Sequence, residues 1–130
     1  MESLQIRTGQ KQLQILDDNG NERGIFTFNP SDIESAKRMF DIKQELLIKQ
    51  AEYNERAGKC KTENESFDLL NEIVDYFEEK IDDCFGAGSS KILFGEARTL
   101  SMFADFFTGI APYYEAESKA RKAKYTKKKN

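Results

Sequence analysis

Six apolar residues, Phe67, Leu70, Val74, Phe77, Ile81 and Cys84, recur at steps of three and four. That spacing sets all six on one stripe of an α-helix and does not fit the two-residue period of a strand. Leu69, Ile73 and Tyr76 broaden the stripe. The far side of the same helix carries Glu63, Glu65, Asp68, Glu72, Asp75, Glu78, Glu79, Asp82 and Asp83, with Lys80 its only base. A helix divided this way must bury one face and solvate the other, so the rest of the chain has to supply a core for it. Thr62 and Glu65 make a Thr-x-x-Glu capping box at its start. The glycines after Phe85 stop it near Cys84.

The flanking segments predict what completes that core. Leu4 and Ile6, then Leu13 and Ile15, alternate with polar neighbours, and DDNGNERG (residues 17–24) holds the hairpin signal Asn19-Gly20. Strands are expected near 3–8, 11–17 and 23–28, as an antiparallel β-meander over residues 1–28. Such a sheet is too thin to stand without helices on one face. Asn29-Pro30-Ser31-Asp32 reads as a helix start, with Asn29 as the cap. Ile33, Ala36, Phe40 and Leu47 give that helix a stripe, widened by Met39, Ile42 and Leu46, and Gly58 ends it after Ala57. Its last stretch, KQAEYNERA, is almost wholly polar and is expected to project into solvent. A short helical or turn segment, KILFG (residues 91–95), precedes a final helix from Ala97 or Thr99. Gly109 and Pro112 place a kink or break near Thr108, with helix resuming from Tyr113 to about Lys122. The fold class is therefore α+β: about three strands packed on three to four helices over residues 30–118. Residues 1–118 form one domain, followed by a basic tail over residues 119–130 that is expected to be disordered.

The chain's 130 residues suffice for one core without disulfide or metal staples. No run approaches the ~18 consecutive apolar residues of a membrane span. MESLQIRTGQ lacks the basic and apolar regions of a signal peptide. A cytoplasmic globular protein with no membrane contact is expected. There is no histidine, which excludes imidazole catalysis and His-ligated zinc. Cys60 and Cys84 form no Cys-x-x-Cys pair and are read as free thiols. Asp17-Asp18, Glu78-Glu79 and Asp82-Asp83 are sequence neighbours, not carboxylates facing each other across a cleft. The stretch from Asp17 to Glu22 lacks the ordered positions of a calcium loop, and GAGSSK lacks the Walker spacing. No catalytic, metal-binding or cofactor-binding residue emerges, so neither an enzyme nor a cofactor is expected.

Three features remain as partner surfaces. Phe94, Phe103, Phe106 and Phe107, with Tyr113 and Tyr114, are too many rings for one narrow stripe, and exposed aromatics anchor protein interfaces. Asp68, Glu72, Asp75, Glu79 and Asp82 could receive a basic partner or the chain's own tail. That tail carries Lys119, Arg121, Lys122, Lys124, Lys127, Lys128 and Lys129, seven bases without an acid. Against totals of 20 basic and 23 acidic residues, residues 1–118 then hold 13 and 23, a balance of -10. An acidic body repels phosphates wherever the tail does not reach, which argues against nucleic acid as the partner.

The succession of FTFNPSDIESAKRMF (residues 26–40), an acidic second helix, and CFGAGSSKILFG followed by MFADFF (residues 84–107) resembles the small tail assembly chaperones of long-tailed bacteriophages and prophages. The resemblance implies a non-enzymatic protein of the bacterial host cytoplasm. Its partners would be the long, aggregation-prone tape measure protein and the tail tube subunits that assemble around it. The same family is often made in two lengths by ribosomal frameshifting, which fits the run Lys127 to Lys129. Masking of apolar helical segments by the Phe-rich half is the expected mechanism. The alternatives are a structural tail or connector subunit of the virion, and a small nucleic-acid-binding regulator using the basic tail. Self-association stays open as well.

Overall fold

Asp17 makes the first turn of the fold. Its Oδ1 accepts hydrogen bonds from the backbone N–H groups of Asn19 and Asn21, both at 2.9 Å. Gly20 takes φ 82° there, a left-handed conformation that suits a residue without a Cβ. The turn joins two antiparallel strands, β1 (Lys11–Leu16) and β2 (Glu22–Phe28). Leu13 pairs with Phe26 and Ile15 with Gly24, so Leu13, Ile15, Phe26 and Phe28 share one face of the sheet, while Ile25 and Leu16 stay exposed. The structure is a computed structural model that describes residues 1–128, with side chains through Lys124. After β2 come α1 (Ile33–Ala57), α2 (Glu63–Phe85), α3 (Ser89–Phe94) and α4 (Ser101–Lys128). Two antiparallel strands against four helices make an α+β arrangement.

The expected strand over residues 3–8 does not form, and the sheet has two strands rather than three. Leu4 and Ile6 stay exposed. Gly9, at φ 96°, bends the chain just before β1, and a Cβ there would lie 2.4 Å from Ser31 Oγ. Asn29 fixes the same corner, its Nδ2 donating to the Thr8 carbonyl at 3.1 Å. Two alternating apolar residues are a weak signal, and the corner at Gly9 and Asn29 turns the segment away from the sheet edge.

Asn29 is not the cap of α1. That place falls to Asp32, whose side chain makes no capping bond. Asn29 Oδ1 instead accepts from the backbone N–H of Ser31 and of Asp32, at 3.0 and 3.2 Å. The helix itself is rotated from its expected setting. Met39, Ile42 and Tyr53 are buried, whereas Ile33, Phe40 and Leu47 are 71%, 62% and 63% exposed. Two overlapping apolar stripes exist on α1, and the surfaces of β2 and α2 choose between them. Tyr53 corrects the expectation of a solvent-projecting helix end: it packs with Leu69 and Ile73 of α2 in a small second cluster. The first turns of α2 are rotated to match, with Phe67 and Leu70 outside and Leu69 and Ile73 inside.

The capping box of α2 is present. Glu65 N–H donates to Thr62 Oγ1 at 3.1 Å, and Glu65 Oε2 accepts from Lys61 N–H at 2.7 Å. Gly86 (φ 112°) and Gly88 (φ 86°) stop α2 and restart the chain as α3. No break occurs at Thr108. Pro112 lies inside an uninterrupted α4, because it removes a single hydrogen bond while Phe103 and Ile110 are buried on its N-terminal side and Tyr113 and Tyr114 pack against the core on the other. The helix also continues through Lys128, where a disordered end was expected from residue 119. Ala, Lys and Arg are good helix formers, so nothing in that stretch opposes propagation once α4 is docked. Lys129 lies outside the described residues, as do the side chains of Lys127 and Lys128.

Candidate functional site

The rings expected to be exposed form the core. Phe94 and Phe103 are buried, and Phe106, Phe107, Tyr113 and Tyr114 are half-buried against them. Edge-to-face pairs run from Phe26 to Phe85 (5.2 Å) and Phe106 (5.7 Å), from Phe103 to Phe77 (5.0 Å) and Phe94 (5.1 Å), and from Phe28 to Tyr113 (5.4 Å). The physical reason is the thin sheet. Two strands offer little apolar surface, and large rings fill the wedge between them and the helices. These six residues are therefore not a free aromatic surface, although some of them floor the grooves that follow.

The open apolar surface lies between α1 and α4, which run in opposite senses. Ser35 Oγ and Tyr114 OH, 3.1 Å apart, tie one end. Near the other end the helices diverge around a cavity of about 360 Å³. Leu46 and Leu47 of α1 form one wall, Leu100, Ala104 and Phe107 the other, and Ile73 and Phe77 of α2 lie beneath. Lys43, Gln50 and Asn54 supply the polar edge. Lys43 also borders a second cavity of about 220 Å³ further along the same pair of helices, with Phe40, Ala111, Tyr114, Glu115 and Arg121. The two cavities make one groove, and exposed Phe40, Leu47 and Leu100 stand along it. An amphipathic helix would fill a trough of this shape. Sequence reasoning missed it by assigning Phe40 and Leu47 to the core; the surviving signal was their seven-residue spacing.

The acidic face is not free as expected. Arg56 pairs with Glu72. Arg98 bonds to Asp75 at 2.8 Å and to Glu78 at 3.5 Å, and to the side chain and carbonyl of Asn71. Asp82 Oδ1 accepts from Ser90 N–H at 2.8 Å and so fastens α3 to α2. Asp68 and Glu79 alone of the five named acids make no ion pair or hydrogen bond among the described residues. Lys119, Arg121, Lys122 and Lys124 are on α4, with Arg121 half-buried and the other three exposed.

Titration adds no catalytic pair. Burial pushes the Cys84 thiol up to about 11 from 9.0, with Arg38 pulling weakly the other way. Burial also raises the Glu78 carboxyl against the pull of Arg98, and raises the Tyr114 hydroxyl despite its bond with Ser35. Cys60 and Cys84 are both free thiols. Among the described residues no group of three or more Cys, Asp or Glu converges as a set of metal ligands. No described helix is long and apolar enough to cross a membrane.

No match to this chain is found among curated proteins or among solved structures. A family model does match, over residues 19–130, which takes in β2 and all four helices. With that share of its length matched, the chain belongs to DUF6673, a family of unknown function.

Proposed function

We propose that this protein is a non-enzymatic assembly chaperone of the phage or prophage tail type, which holds apolar helical segments of the tape measure protein in the groove between α1 and α4. The groove carries this reading: it is apolar, long enough for a helix, and bordered by Phe40, Leu47 and Leu100, which remain exposed in the free chain. Burying three such side chains is worth about 1.5–3 kcal/mol each. Association costs take back much of that sum, so these three contacts alone give weak binding, about millimolar or weaker. An affinity of that order suits a protein that must release its client to the tube subunits. The resemblance of residues 26–40 and 84–107 to tail assembly chaperones supplies the identity of the client. Bacterial cytoplasm is the matching location.

Co-expression with a long helical tape measure protein tests the reading. The expected result is a higher soluble yield of that protein, lost when Leu47→Asp is introduced. An unchanged yield with the natural sequence overturns it.

A further inference from the structure

The groove differs in character along its length. Its larger cavity is bordered by one charge, Lys43. The smaller cavity is bordered by Lys43, Arg121 and Glu115. Neither cation forms an ion pair among the described residues, and among them Arg121 Nη1, shut off from solvent, has no hydrogen-bond partner. A guanidinium N–H without an acceptor is costly, since its hydration has been given up for nothing. By contrast, Arg56 pairs with Glu72, Arg98 with Asp75 and Glu78, and Arg23 Nη1 donates to the Leu93 carbonyl. Glu115 borders the same cavity but does not bond to Arg121. Two cations against one acid give this end of the groove an excess of positive charge, on a chain whose net charge is -3.

Resting on the helix-binding reading above, we infer that the groove selects an amphipathic helix that carries a carboxylate at one end of its apolar stripe, and that Arg121 receives this carboxylate with Lys43 beside it. The guanidinium fork suits a carboxylate in two-point contact, and turning the long side chain supplies the needed angle. The geometry also fixes where the acid must lie. A helical side chain leans back over the preceding turn, so the Arg121 head reaches back toward Ser118, which borders the same cavity. Measured along α4, that is about three turns, or ~15 Å, from Phe107. The partner's Asp or Glu therefore lies about three turns beyond the apolar residue that meets Phe107. A purely apolar helix would bind more weakly, and a helix with a lysine at that place would be rejected.

A synthetic helical peptide with leucines at i, i+3 and i+7 and one glutamate about three turns beyond them is the probe, compared with its glutamine twin. Titration calorimetry with the full chain should show the glutamate peptide binding about tenfold more tightly, as a charge-assisted bond requires. Arg121→Met should remove that difference, chiefly by weakening the glutamate peptide, and an unchanged circular dichroism spectrum and urea midpoint report that the variant is folded. Equal binding of the two peptides to the natural sequence overturns the inference, and so does a loss with Arg121→Met that is the same for both. In those cases a loss of both peptides with Leu47→Asp leaves the helix-binding reading standing. If Leu47→Asp changes nothing, or neither peptide binds, the reading and the inference fall together.

Discussion

Ile81 has no exposed surface and lies in the principal core with Phe26, Val74 and Phe94. Cutting it to alanine removes buried methyl groups and leaves a cavity that rigid aromatic neighbours fill poorly. Ile81→Ala should cost about 2–5 kcal/mol, read from urea denaturation. A loss below about 1 kcal/mol would mean that the rings do not enclose it. Cys84 offers a second test at this scale. Its thiol pKa is raised in the folded state, to about 11 from 9.0, so folding holds the proton more tightly. Below the unfolded value both states are protonated and stability is complete. As pH rises toward the folded value the unfolded thiol ionises first, and stability falls. Cys84→Ala should flatten the decline between pH 9 and 11, measured as urea midpoints across that range. An identical profile would show that burial of the thiol does not act on stability. Because the thiolate is the reactive form, Cys84 should also resist iodoacetamide at pH 8 until the protein is unfolded.

Single elements owe their limits to a few local bonds. Thr62 takes one of the orphan N–H groups of α2 through its bond from Glu65, and Glu65 returns to Lys61. Thr62→Ala should cost about 1 kcal/mol, and Thr62→Ser should restore most of it. Equal stability of all three proteins in thermal unfolding would show that the cap is idle. This element was legible because a capping box is a local device, with donor and acceptor three residues apart. The start of α1 was less legible. Asn29 bonds to the right backbone groups, but its side chain also holds Thr8, twenty-one residues earlier, and the cap moves on to Asp32. Pro112 was misread for a related reason. It predicts a broken helix in isolation, yet burial of residues on both sides keeps α4 whole.

At the scale of the whole molecule, exposed apolar side chains should be dispensable for folding and needed for binding. Phe40→Ser and Leu47→Ser should each leave unfolding free energy within about 0.5 kcal/mol of the natural sequence, while soluble yield of the co-expressed client falls. A destabilisation above about 1.5 kcal/mol would place these side chains in a buried contact, such as a second copy of the chain. The sequence by itself determined what depends on neighbours a few residues apart: the Asp17–Asn21 turn, the boxed start of α2, the glycine stop after Phe85, and the helical period of α1, α2 and α4. It also determined the charge balance and the lack of histidine. Only the tertiary structure decided which of two apolar stripes on α1 faces inward, that the Phe-rich half fills the core, that Arg56, Arg98 and Ser90 occupy much of the acidic face, and that an apolar groove is left between α1 and α4. A helical period constrains rotation only to within a stripe's width. The partner surface that settles it is assembled from residues distant in the chain, so no local pattern carries it.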